Sequence, residues 1–187
     1  MKRFIIALGI LGLAVPALAE ITEQYDSLEE LILEHGDYDE GSGTFELYSE
    51  EPLSFRLSRI SLKGEPHEVT YYENWRAAIY GVYNTFAHTS SGSVKVTAMP
   101  QWIEGFMKRD TARLMEEHAI TLEMDRDDAL AALQAAAGIQ SLSDTKVMTD
   151  FGYQWSPEFL DVYFEDRNPG LDAFIQELRG YCVEPCE

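Results

Sequence analysis

Basic charge is what this chain has least of. Its 187 residues hold 14 lysines and arginines against 33 aspartates and glutamates. From Glu20 to Phe55 there are twelve acidic side chains and no lysine or arginine. Such a surface repels DNA, RNA and anionic membranes, so nucleic-acid binding is excluded as a function class; basic proteins and cations stay compatible. Cysteine is nearly absent. Cys182 and Cys186 are the only two, so the chain can close one disulfide at most. Long apolar runs are missing as well: Phe4 to Val15 falls short of the ~20 residues that a membrane-spanning helix needs. The familiar catalytic signatures are not there. The chain has no Gly-x-Ser-x-Gly, no His-x-x-x-His or His-Glu-x-x-His, and no glycine loop built to cradle phosphate. It shows no repeat, coiled coil or low-complexity tract.

What is present at the start is an address. Lys2 and Arg3 precede the apolar run, and Pro16 precedes Ala17-Leu18-Ala19. A charged end, a short apolar stretch and a small-x-small site together read as a secretory signal peptide cleaved after Ala19. No cysteine follows the cleavage site, which argues against a lipid anchor. The mature protein is expected in the periplasm or secreted, with no membrane insertion after cleavage. Removal of Lys2 and Arg3 leaves 12 basic against 33 acidic side chains, a net charge of −21 on 168 residues. That length fits one domain.

The remaining charge is uneven. Residues 56–115 carry eight basic and five acidic side chains, a net of +3. The acidic segment 20–43 contains Leu28, Leu31 and Ile32, too much apolar surface for a free tail. It is expected to be ordered, and carboxylates from Glu20–Glu51 should approach Arg56, Arg59, Arg76 or Lys95.

Local patterns predict interspersed helices and strands. Asp26 or Ser27 can cap a helix ending at Gly36, and Asp125 one ending at Gly138. Short strands are expected at Thr44–Tyr48, Leu53–Leu62 with a bend near Ser58, His67–Tyr72, Ser93–Met99, His118–Met124 and Thr145–Phe151. The strongest helix runs from a cap at Asn74 to Ala87, with Trp75, Ala78, Ile79, Val82, Tyr83 and Phe86 on one face. Tyr80 lies off that stripe. Ser156-Pro157 and Asn168-Pro169 each place a cap before a proline that opens a helix. Residues 101–117 fit either a helix or a hairpin connection, and antiparallel pairing of the flanking strands is the preferred reading. The fold class is therefore α+β: a single domain, 20–187, with a mixed or mostly antiparallel sheet packed by about five helices.

Few residues suggest chemistry. Asp37, Asp39 and Glu40 precede glycines and could offer oxygens to calcium, although the spacing departs from an EF-hand and a solvated turn explains them equally well. His67 and His118 each begin an expected strand, and could share a metal or a catalytic role if those strands were neighbours. His88 sits near a helix end, where the dipole favours its cation. Surface or capping positions account for the four histidines more simply. Trp102 and Trp155 lie beside irregular stretches and are candidates for a ligand surface. Cys182 and Cys186 should form a disulfide that clips residues 182–187. A redox role would call for Cys-x-x-Cys at a helix start. No cofactor is implied. The reading that follows is an exported small acidic protein with a non-enzymatic binding or accessory role in the cell envelope, its partner a protein with a basic surface or a small ligand. The alternative is an exported hydrolase whose site is assembled only in three dimensions.

Overall fold

The computed structural model describes residues 23–164, 166–183 and 186. The leader expected at 1–19 lies outside them. The chain runs α1 (Leu28–His35), β1 (Phe45–Glu50), β2 (Leu53–Leu57), β3 (Ile60–Leu62), α2 (His67–His88), β4 (Ser93–Ala98), β5 (Gln101–Ile103), β6 (Arg113–Leu114), β7 (Ile120–Asp125), α3 (Arg126–Ala137), β8 (Lys146–Thr149), β9 (Gly152–Trp155), α4 (Pro157–Tyr163) and α5 (Leu171–Leu178). This is an α+β arrangement.

The main sheet has the order β1-β2-β4-β7. Its outer pairs are antiparallel and β2 runs parallel to β4, so the sheet is mixed. A parallel pair needs a crossover, and α2 lies in it. The pair continues past a break into β3 and β5, which are also parallel. Met99 N donates to Leu57 O at 3.0 Å and Gln101 N to Arg59 O at 2.8 Å across the break. This is the bend expected near Ser58. Residues 101–117 contain β5, β6 and two single turns of 3-10 helix. They connect β4 to β7, whose pairing is antiparallel over six residue pairs.

Helix ends follow local chemistry. Ser27, Asp125 and Ser156 accept from the backbone N–H three residues on, at 3.2, 2.9 and 3.3 Å. Gly36 and Gly138 end α1 and α3 at φ 68° and 69°, a region open to glycine at little steric cost.

Four local expectations are corrected. His67–Tyr72 is not a strand; it forms the first turns of α2. Its residues favour strands, but tertiary contacts override that preference. Thr70 Oγ1 lies 3.3 Å from Ser61 Oγ of β3, and Tyr72 Oη donates to Asp172 at 3.0 Å. Asn74 is therefore inside the helix rather than its cap. Tyr80 is not on a tolerant face. It is 7 % exposed, because every α2 residue from Asn74 to His88 except Arg76 is buried. Finally, α5 begins at Leu171 instead of Pro169. Gly170 N and Leu171 N are tied back to Asp161 O and Phe164 O, at 2.9 and 3.0 Å.

Gly81 lets α2 lie close to the sheet. A Cβ there would come within 2.6 Å of Val96 and 3.2 Å of Leu57. On its other side, α2 packs Tyr83 against Phe159 and Phe174, with centroids 5.5 and 5.4 Å apart. Cys182 and Cys186 are joined by a disulfide. Cys182 forms a bridge with Leu122, and Arg179 Nη1 donates to Cys186 O at 2.7 Å, so this end of the chain is held beside β7.

Candidate functional site

Two places bring polar chemistry together. The first is an open cleft of about 430 Å³ where the start of α2 meets the turn before β7. His67 and Tyr71 come from the helix, and Glu117 and His118 from the turn. The His67 and His118 rings stand edge to face with centroids 5.3 Å apart. Asn74 anchors the turn. Its Nδ2 donates to His118 O at 2.6 Å. A carbonyl oxygen can only accept, so the amide orientation is set and Asn74 Oδ1 is the atom left over. That oxygen is buried and finds no partner among the described residues. No lysine or arginine is among the described lining residues.

The second place is a buried seam along α2. Tyr80, Asn84 and His88 recur one turn apart. Tyr80 Oη, Asn84 Oδ1 and His88 Nε2 are buried without a hydrogen-bond partner among the described residues. Each such group costs about 1–3 kcal/mol when left unpaired. The seam is covered by His35 at the end of α1, by Asp37 and Tyr38 after it, and by the β8–β9 hairpin. His35 and His88 rings lie 4.9 Å apart, with Tyr153 at 5.1 Å from His88. His88 Nδ1 lies 3.1 Å from Glu23 O, so Nδ1 carries the proton of the neutral ring and Nε2 keeps its lone pair.

Burial governs protonation here. It pushes His35 down to about 4, assisted by the charges of His88 and Lys146. His88 is fully buried and is also lowered, which corrects the expectation that the helix dipole would favour its cation. Desolvation exceeds a dipole effect of about 0.3–1 kcal/mol. Lys146 is pushed down to about 7 by burial, opposed by Asp37. Its Nζ sits 3.3 Å from the Trp155 ring centroid. Tyr80 is raised by burial and then by Asp37.

The other sequence-derived candidates lie elsewhere. Asp37 borders the seam. The Asp39 carboxylate accepts from Ser42 N and Oγ at 2.7 and 2.6 Å, and these bonds hold its pKa below the usual range. Glu40 is exposed. Among the described residues no group of three or more His, Cys, Asp or Glu could hold a metal ion, so Asp37, Asp39 and Glu40 do not converge as one. Trp102 is half-buried under the Arg113 guanidinium, 4.6 Å from its ring centroid. Trp155 is sandwiched between Lys146 and Phe159, whose ring centroid is 4.4 Å away. Of the four cations expected to meet the acidic segment, Arg56 pairs with Glu46 at 3.1 Å. Arg59 and Arg76 both reach Glu73, and Lys95 reaches Glu123. Sequence reasoning missed the seam, although Tyr80, Asn84 and His88 at helical spacing were a visible polar stripe. No family model, curated protein or solved structure matches the chain.

Proposed function

We propose that this is an exported, non-enzymatic binding protein of the cell envelope that receives an organic ammonium group in the His67–His118 cleft. The observation that carries the reading is Asn74, which lines that cleft and whose buried Oδ1 has no partner among the described residues. A buried acceptor without a donor favours a ligand that donates. Charge then selects the donor. Glu117 lines the cleft, and the mature chain carries a net charge of −21. Arg179, which donates to Tyr71 Oη at 3.3 Å, is not a lining residue. The Tyr71 ring adds an aromatic face of the kind that suits a cation. The positive end of α2 opposes a cation, but that effect fades within the first turn, and Asn74 lies beyond it.

Export is supported by the leader pattern and by the Cys182–Cys186 bond, which oxidising compartments maintain. No described helix is long and apolar enough to cross a membrane. A hydrolase would need a base in contact with a nucleophile or an orienting acid. Among the described residues no histidine ring hydrogen-bonds a hydroxyl or a carboxylate, and this favours binding over hydrolysis.

Calorimetric titration with cadaverine, 1,5-pentanediol and glutarate tests the proposal. The diamine should bind, and the neutral and anionic analogues of equal length should not. Glu117→Gln at the exposed rim should weaken the diamine roughly tenfold, as the loss of a charged hydrogen-bond partner does. Equal binding of the diol, or no effect of Glu117→Gln, would overturn it.

A further inference from the structure

Lys146 is the least conventional side chain in the fold. Lys63 and Lys108 are exposed, Lys95 is half-exposed, and Lys95 and Lys108 pair with glutamates. Lys146 is 8 % exposed, and among the described residues its Nζ makes no hydrogen bond or ion pair. Its Nζ lies over the face of Trp155, its cross-strand partner in the β8–β9 hairpin. A cation held this way normally has a carboxylate beside it. Asp37 is near enough to act through its charge, but it is exposed and makes no ion pair with Nζ. The same seam holds His35, Tyr80 and the unprotonated Nε2 of His88, with Tyr153 packed on the His88 ring. A buried amine against an aromatic face, without an ion pair and near enough to His35 and His88 for its charge to lower both, has the surroundings of a nucleophile.

We propose that Lys146 is a carbonyl-capturing amine: a small aldehyde or ketone enters beneath the β8–β9 hairpin and condenses with Nζ. The Nζ lone pair forms a bond to the carbonyl carbon, and the π pair moves to oxygen. Proton transfer from nitrogen to oxygen gives a carbinolamine. Its hydroxyl requires an acceptor, and His88 Nε2 on the same seam is buried without a partner among the described residues. Loss of that oxygen as water leaves the imine, so amine plus carbonyl gives imine plus water without any oxidant or reductant. The lowered basicity of Lys146, set by burial, keeps a large share of the amine neutral near pH 7. The hairpin suits an entrance, because it is a separate two-stranded sheet with Met148 and Phe151 exposed at its tip.

The test is a site map of reductive alkylation. The folded protein is treated at pH 7 with acetaldehyde and cyanoborohydride for a short time, then digested and analysed by mass spectrometry. Lys146 should be alkylated at least roughly tenfold faster than Lys63, Lys95 and Lys108. The preference should vanish in denaturant and shrink at pH 10, where the exposed amines also become neutral. Lys146 reacting no faster than the exposed lysines in the folded protein would overturn the proposal, as would a preference that survives denaturation.

Discussion

Replacing Gly81 with alanine should destabilise this protein, although in an unhindered helix the same change adds about 1 kcal/mol of stability. The new Cβ would lie 2.6 and 3.1 Å from the two Val96 methyl carbons and 3.2 Å from Leu57 Cδ1. Carbon atoms prefer about 3.5–4.0 Å, so the closest approach is far inside contact. Neither neighbour has room to yield. Val96 and Leu57 are both fully buried, and valine is stiff at χ1. Val96 sits on β4, which is hydrogen-bonded to β2 and β7, so the strand cannot retreat alone. Overpacking of this kind costs about 1–3 kcal/mol. Set against the helix gain, the net expectation is a loss of about 1 kcal/mol, or ~2–4 °C in Tm for a domain of this size. Urea unfolding followed by circular dichroism would measure it. The double variant with Val96→Ala supplies the control: the penalty at 81 should shrink or reverse once the opposing methyls are gone, a coupling of about 1 kcal/mol or more. A Gly81→Ala protein that is more stable than the parent, with no coupling to Val96, would show that α2 does not lie this close to the sheet.

Acid should weaken the fold through the seam. His35 and His88 have folded pKa values below their unfolded ones, so their stabilising contribution is complete above about 6.5 and falls away as the pH drops toward 4. For the partly exposed His35 it amounts to about 1–2 kcal/mol after solvent screening, and Tm measured from pH 8 to 4 would reveal a slope that His35→Gln reduces. Lys146, lowered to about 7, adds a separate loss of stability as pH falls from 10.5 to 7; that slope should disappear in Lys146→Met. Phe86→Ala should cost about 3–5 kcal/mol in urea unfolding, since the ring is 1 % exposed. Deleting residues 20–43 removes Leu28, Leu31, Ile32 and Tyr38, all 4 % exposed or less, and should abolish cooperative unfolding by calorimetry; an unchanged transition would mean that α1 does not belong to the core. The double serine variant of Cys182 and Cys186 should still fold cooperatively, with a loss of about 2 kcal/mol or less, because the ring it opens is short.

Several elements could be read from the chain because their causes are local. Ser27, Asp125 and Ser156 lie next to the N–H groups that they cap. The apolar stripe of α2 follows from 3.6 residues per turn, and the bend between β2 and β3 shows as a slip in alternation. His67–Tyr72 could not be read this way. Its residues favour a strand, and partners met in the folded chain, among them Ser61, His118 and Asp172, hold it as helix.

The amino-acid order by itself determined the α+β class, the acidic balance and most helix limits, since these rest on periodicity, capping and charge within a few residues of one another; it favoured an antiparallel β4–β7 pair but left the connection between them open. The tertiary structure decided which polar groups share a space. His67 and His118 are 51 positions apart in the chain and meet because α2 begins earlier than its propensities suggest. His35, His88 and Lys146 arrive on three separate elements, and their lowered basicity is a property of burial. A side chain's type states what it can donate or accept; only packing states whether water is there to receive it.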